Sequence, residues 1–221
     1  MSQHNKNLPF ASATLRINQQ QAQRQLKYLG YNNKNVFLRF FYHSDDSRKH
    51  SDKGRKLNYL RWQDIEAYQQ DGRGVYVVVN GAGGGHEDKD IKQCVVAIFC
   101  KWKDRPVEEQ MRQWETVGFL EPTFTIYSGD KSAQPYWIFD RPITVEQWRE
   151  LQCLLIEVMG ADPSNKNPSR VFRLASGWHI KPGRNPVQTE ILQDSGKKYS
   201  LEAVQSELIR PSRKQLLSSS C

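Results

Sequence analysis

With 221 residues, 38% of them hydrophobic and 25% charged, the chain has the size and composition of a soluble globular protein with one large domain or two small ones. No apolar run approaches the roughly 18–20 residues that cross a bilayer, and the polar start 1–7 lacks the apolar core of a signal peptide, so a cytoplasmic protein is expected. The net charge of +8 favours polyanionic partners through counterion release, without saying which.

In chain order, residues 18–29 suit a short helix and 36–41 a strand. The charged stretch 44–56, which has no apolar anchor, reads as a mobile loop. Residues 62–69 fit a helix, and a Gly-Arg-Gly turn leads into a β-branched and aromatic strand at 75–79. Four glycines within 81–85 then break the chain. Residues 94–102 are dense in apolar side chains and predict a central strand. An amphipathic helix follows at 107–117, between Pro106 and Gly118. Strands at Phe124–Tyr127 and 136–139 flank a polar loop and predict a hairpin. Thr144 caps a helix at Val145–Met159, with Gly160 ending it. Short strands at 171–174, 179–180 and 189–192 and a helix at 201–209 complete an α/β chain, and 210–221 has linker composition, as at the front of a longer protein. The domain reading is a polar extension at 1–30, one domain at 31–209 and a tail at 210–221. The four cysteines form no CxxC pair and are expected to be buried free thiols.

Three stretches could carry chemistry. The glycine run 81–85 lacks the GxxxxGK[ST] spacing of a phosphate loop and reads as a flexible, hairpin-like loop. His86, Glu87, Asp88 and Asp90 behind it read as solvated. Ser128, Lys131 and Ser132, in a tight turn of small and hydroxyl residues, suit an oxygen-rich anion, although an ordinary hairpin turn has the same look. Asp162 lies just past a helix end, and Arg170, Arg173, His179 and Lys181 follow it, interleaved with Phe172 and Trp178. Phosphate contacts combined with base stacking need that mixture; a salt-bridged surface loop is the plain alternative.

Taken together, these phrases resemble the archaeo-eukaryotic-type primase, or primase-polymerase, superfamily, in particular RepB-like primase domains of bacterial plasmid and phage replication proteins. The resemblance runs over about 35–199 and is carried by Asn167-Pro168-Ser169-Arg170-Val171-Phe172-Arg173-Leu174-Ala175, by Gly177-Trp178-His179-Ile180-Lys181, and by Ser128-Gly129-Asp130-Lys131-Ser132 ahead of Tyr136-Trp137. It implies a primase-polymerase fold: a modified RNA-recognition-type antiparallel sheet flanked by helices, plus a small N-terminal α/β portion. It also implies three motifs: an acidic pair spaced by one residue, a serine and histidine that hold nucleotide phosphates, and an aspartate completing a two-metal site.

On this chain the implied third motif is Asp162, with Arg170, Arg173, His179 and Lys181 as phosphate contacts. Ser132 keeps half of the second, but Gln134 stands where the histidine belongs. The acidic pair falls on Lys101 and Lys103. Asp104 survives next door, but strand alternation turns it to the opposite face. Ammonium groups cannot ligate magnesium, so no metal or other cofactor is expected unless an active alternative uses Mg or Mn through Asp104, Asp162 and Glu87 or Asp88. The main expectation is a nucleic-acid-binding domain of a replication or mobile-element protein, binding DNA and conceivably RNA or nucleotides, not a membrane, with a fused or associated helicase implied by the family. A working primase-polymerase and a protein-interaction scaffold are the alternatives.

Overall fold

The structure, a computed structural model, describes residues 14–32, 34–92 and 95–210. Chain order is α1 (Gln19–Tyr28), β1 (Leu38–Phe41), β2 (Arg55–Leu57), α2 (Trp62–Gln70), β3 (Gly74–Val78), β4 (Val95–Phe99), α3 (Val107–Thr116), β5 (Phe124–Tyr127), β6 (Ala133–Ile143), α4 (Val145–Met159), β7 (Val171–Arg173), β8 (Trp178–His179), β9 (Val187–Gln188), β10 (Glu190–Asp194), β11 (Lys198–Tyr199) and α5 (Leu201–Leu208). Two sheets carry the fold. One is antiparallel, ordered β2-β1-β3-β7; the other runs β10-β5-β6-β11, with β4 also paired to β6. The anticipated α/β architecture of antiparallel sheets with flanking helices is present.

The sheets share one core. Phe172 of β7 meets Phe99 of β4 edge-on at 5.0 Å and Tyr136 of β6 at 5.8 Å, and Tyr136 stacks on Phe124 of β5 at 4.4 Å. Helix α1 joins this core through Ala22 and Leu26. Its buried Gln25 donates to Arg173 O and accepts from Ala175 N–H, fixing the exit of β7. Among the described residues no helix is long and apolar enough to cross a membrane.

Four expectations are corrected. The stretch 44–56 is not a free loop: it holds a 3-10 turn at Ser47–His50 and strand β2, which pairs with β1. Its charges are its anchors, because Asp52 bonds Arg73 and both Arg48 and Arg73 stack over Tyr42 at about 4 Å. The glycine run is no hairpin, since β3 and β4 belong to different sheets. It forms a 3-10 turn whose Gly81 admits no side chain, a Cβ there falling 2.2 Å from Tyr31 Oη. Strand β4 is buried apart from half-buried Val96, yet it lies at an edge, pairing β6 alone. Side-chain amides complete it: Asn80 accepts from Val96 and Ala97 N–H and donates to Ala97 O, and Gln152 bonds both N–H and C=O of Phe99. Finally, Cys100 is a buried free thiol as expected, whereas Cys153 is exposed on α4; Cys94 and Cys221 lie outside the described side chains, as does the tail 211–221.

Candidate anion cleft

Where the end of β4, the β5–β6 turn, β7 and β8 converge there is a cleft of about 360 Å³. Lys101, Lys103, Lys131, Arg170 and Arg173 line it, with Ser128, Ser132, Gln134 and His179. Residues from four separate stretches of sequence are thus gathered into one site. Asp130 and Phe172, from the motif phrases, also line it, as do Tyr76 and Trp102, which were not singled out in the sequence.

Strand β4 stops at Phe99, so Lys101 to Asp104 are irregular and strand alternation does not govern them. Cys100 N–H still reaches Pro135 O of β6 at 3.2 Å, and Lys101 O accepts from Asp162 N–H at 2.8 Å. These two bonds pin residues 100–101 between β6 and the segment that follows α4. Asp104 is exposed and lines a neighbouring depression, which also contains Asp162. Glu87 and Asp88 lie elsewhere: Glu87 pairs Arg39 and Lys56, and Asp88 accepts from Ser169 N–H.

The site is tied together from behind by buried amides. Gln152 of α4 donates to Asn165 O as well as clamping Phe99, and Asn165 in turn bonds Asp162 O and accepts from Arg170 Nε. Gln110 of α3 donates to Lys131 O and accepts from Ala133 N–H, holding the β5–β6 turn. The sequence signal for both was a glutamine on the apolar stripe of a helix. Gly129 in that turn has φ +86°, and its open side faces His179, whose Cβ lies 2.5 Å from where a glycine side chain would begin.

The charges are unevenly compensated. Lys103, 67% exposed, pairs at 3.4 Å with Asp162, whose side chain is 4% exposed. Burial pushes the Asp162 carboxyl up, but hydrogen bonds from Ser164 and Lys103 outweigh it and hold it below the usual range. Lys101 is half-buried, and burial together with the nearby Arg170 guanidinium lowers its ammonium from the ordinary lysine value. Among the described residues no carboxylate lies within ion-pair distance of Lys101, Lys131, Arg170 or Arg173. Arg173 stacks its guanidinium 4.3 Å over Tyr76 and donates to His179 Nδ1 at 2.8 Å. Burial and that cation bring His179 down to about 4, so the ring is neutral near pH 7 with Nε2–H left to donate. Lys181 does not line the cleft; it pairs with Asp45 at 2.9 Å.

The chain is 31% identical to the archaeo-eukaryotic-type primase domain of the primase-polymerase of cyanophage S-2L, with a TM-score of 0.77 over 87% of this chain and 98% of that one. The primase RepB′ matches at 14% identity and TM-score 0.58, over 94% of this chain and 67% of that one. Its catalytic domain in complex with initiator DNA matches at 15% and 0.56, over 95% and 97%; these two show the fold. No family profile and no curated protein matches the chain. The fold and the sequence likeness place the chain in the primase-polymerase class of folds. It belongs to the archaeo-eukaryotic-type primase superfamily, alongside the cyanophage domain.

On the alignment expected from the sequence, the two-metal site of this family would fall on Lys101, Lys103 and Asp162. Ammonium groups offer no lone pairs to a metal, and the Asp162 carboxylate is engaged by Lys103. Among the described residues no three His, Cys, Asp or Glu stand close enough together to hold an ion.

Proposed function

We propose that this chain is the nucleic-acid-binding domain of a replication or mobile-element protein, derived from a primase-polymerase and without two-metal nucleotidyl transfer. One observation carries the reading: the cleft where family members bring phosphates and metals together is lined by five cationic side chains, with Asp162 already neutralised by one of them. Two unit charges ~4 Å apart interact by about 4 kcal/mol at an effective dielectric near 20. A divalent cation is therefore repelled where a phosphate is attracted. Lys101, Lys103, Lys131, Arg170 and Arg173 supply the charge, and Ser128, Ser132 and the neutral His179 supply hydrogen bonds. A related primase has been captured with initiator DNA, which supports DNA as the polyanion.

Asp104 and Asp162 line one depression, the feature that favours the second reading, a rearranged metal site. Glu87 and Asp88, its other candidate ligands, are occupied elsewhere.

Primer synthesis and extension with magnesium or manganese separates the two readings, with no incorporation above background expected. Labelled single-stranded DNA should bind equally well in EDTA and in magnesium. Its affinity should fall with salt at a log–log slope of about −3.5 if all five cations meet phosphates, at ~0.7 per contact. Nucleotide incorporation at low protein concentration, or binding that requires a divalent ion, refutes the proposal.

A further inference from the structure

The four-stranded sheet turns one face to the core and the other outward, and the outward face has an unusual composition. Leu38, Phe40, Val75, Val77 and Phe172 point inward and are buried. Their alternates, Arg39, Phe41 and Tyr76, are half-buried on the other side, where a one-sided antiparallel sheet ordinarily presents polar residues to water. Register aligns this face into one cross-strand row: Lys56 of β2 opposite Arg39 of β1, Arg39 opposite Tyr76 of β3, and Tyr76 opposite Arg173 of β7. Phe41 lies beside the row, its ring 5.6 Å from that of Tyr76.

The row is continuous with the cleft, because Tyr76 and Arg173 line both. It is also short of negative charge. Arg39 and Lys56 share a single carboxylate, Glu87, and Arg39 Nε is buried with no hydrogen-bond partner. Basic side chains interleaved with aromatic rings along an extended surface are what successive phosphates and unpaired bases require. A duplex hides its base faces from such rings.

Building on the cleft reading above, we infer that a single-stranded nucleic acid leaving the cleft runs across this face of the sheet. Its phosphates follow Arg173, Arg39 and Lys56, and its bases lie against Tyr76 and Phe41. At the usual spacing between strands the row extends about 14 Å from Arg173 to Lys56, room for a few nucleotides beyond those in the cleft.

Fluorescence anisotropy with labelled oligothymidylates of four, eight and twelve nucleotides, and with a twelve-base-pair duplex, tests this on the full chain. The four-mer reports on the cleft alone. Wild-type affinity should rise about tenfold from the four-mer to the twelve-mer, of the order expected for one added stacked base with its phosphate. Lys56→Ala, a change at an exposed position, and Phe41→Leu should flatten that rise while leaving four-mer affinity unchanged. Thermal melting of Phe41→Leu identifies any loss that is merely one of folding, and Lys56→Ala then carries the decision. A wild-type affinity independent of length, an equal rise in both variants, or duplex bound as tightly as single strand overturns the inference. Lys101→Ala reports separately on the cleft: unchanged four-mer affinity in that variant overturns the cleft reading, whatever the length series shows.

Discussion

Lys101 holds a charge that its surroundings resist, since burial and the guanidinium of Arg170 both favour the neutral amine. A bound phosphate reverses that preference, so anion binding is coupled to proton uptake at this side chain. The sign follows: as pH rises through the lowered pKa, the free cleft loses a cation before ordinary lysines titrate, and affinity falls. As pH rises towards the ordinary lysine range, wild-type affinity for a short single strand should fall, by about tenfold once the charge is lost, the weight of one charge-assisted hydrogen bond. Lys101→Arg, which stays charged throughout, should abolish most of that loss; the same alkaline fall in the arginine variant assigns it to another group. At this scale the sequence was informative about which residues meet and less so about their state. Lys101, Lys103, Gln134 and Arg170, named from separate stretches of the sequence, line one cleft. The pairing of Lys181 with Asp45 and the ion pair closing over Asp162 depend on neighbours far away in the chain, and the neutrality of His179 on burial beside Arg173.

Helix α4 was readable to the residue because its signals are local: a capping box between Thr144 and Gln147 at one end and a left-handed Gly160 at the other. Strand β4 was misplaced in the sheet because what completes it comes from outside any strand. Asn80 and Gln152 supply the hydrogen bonds that a neighbouring strand would give, so an edge position coexists with burial of four of the five residues. Gln152 therefore has a structural role, and its position between Trp148, Leu151 and Leu155 disguises it as part of an apolar stripe. Gln152→Leu preserves the bulk but orphans Phe99 N–H, Phe99 O and Asn165 O. At ~1–3 kcal/mol for a buried polar group left unsatisfied, a loss of about 3 kcal/mol is expected in urea denaturation. Anion affinity should fall with it, since Asn165 holds Arg170 and the end of β4 holds Lys101. Full stability with unchanged binding removes the clamp from the account; full stability with lost binding confines it to positioning.

Across the whole molecule, the cleft lies where two sheets meet, and each sheet delivers a different part of it. The five-stranded sheet brings the lysine pair and the β5–β6 turn; the four-stranded sheet brings Tyr76 and Arg173. The overall plan was legible through resemblance, because the phrases that carry it keep their order along the chain. Whether those residues alone set the site's preference for phosphate over metal can be tested by restoring them. In the triple variant Lys101→Glu, Lys103→Asp, Gln134→His, two ammonium groups become two carboxylates, a local change of about four charges. Asp162 loses its lysine partner and gains two carboxylate neighbours, so like-charge repulsion should raise its pKa until a cation binds. Calorimetry should then detect manganese binding absent from the wild type, with proton release. Single-strand binding in EDTA should weaken at the same time, because two of the five phosphate-facing cations are gone. The backbone bonds joining Lys101 O to Asp162 N–H and Cys100 N–H to Pro135 O do not involve the altered side chains, so the three motifs stay in register. Gain of metal with loss of chelator-insensitive binding makes the lysines the switch between the two chemistries. A variant that folds but gains no metal affinity shows instead that the first motif does not fall on residues 101 and 103.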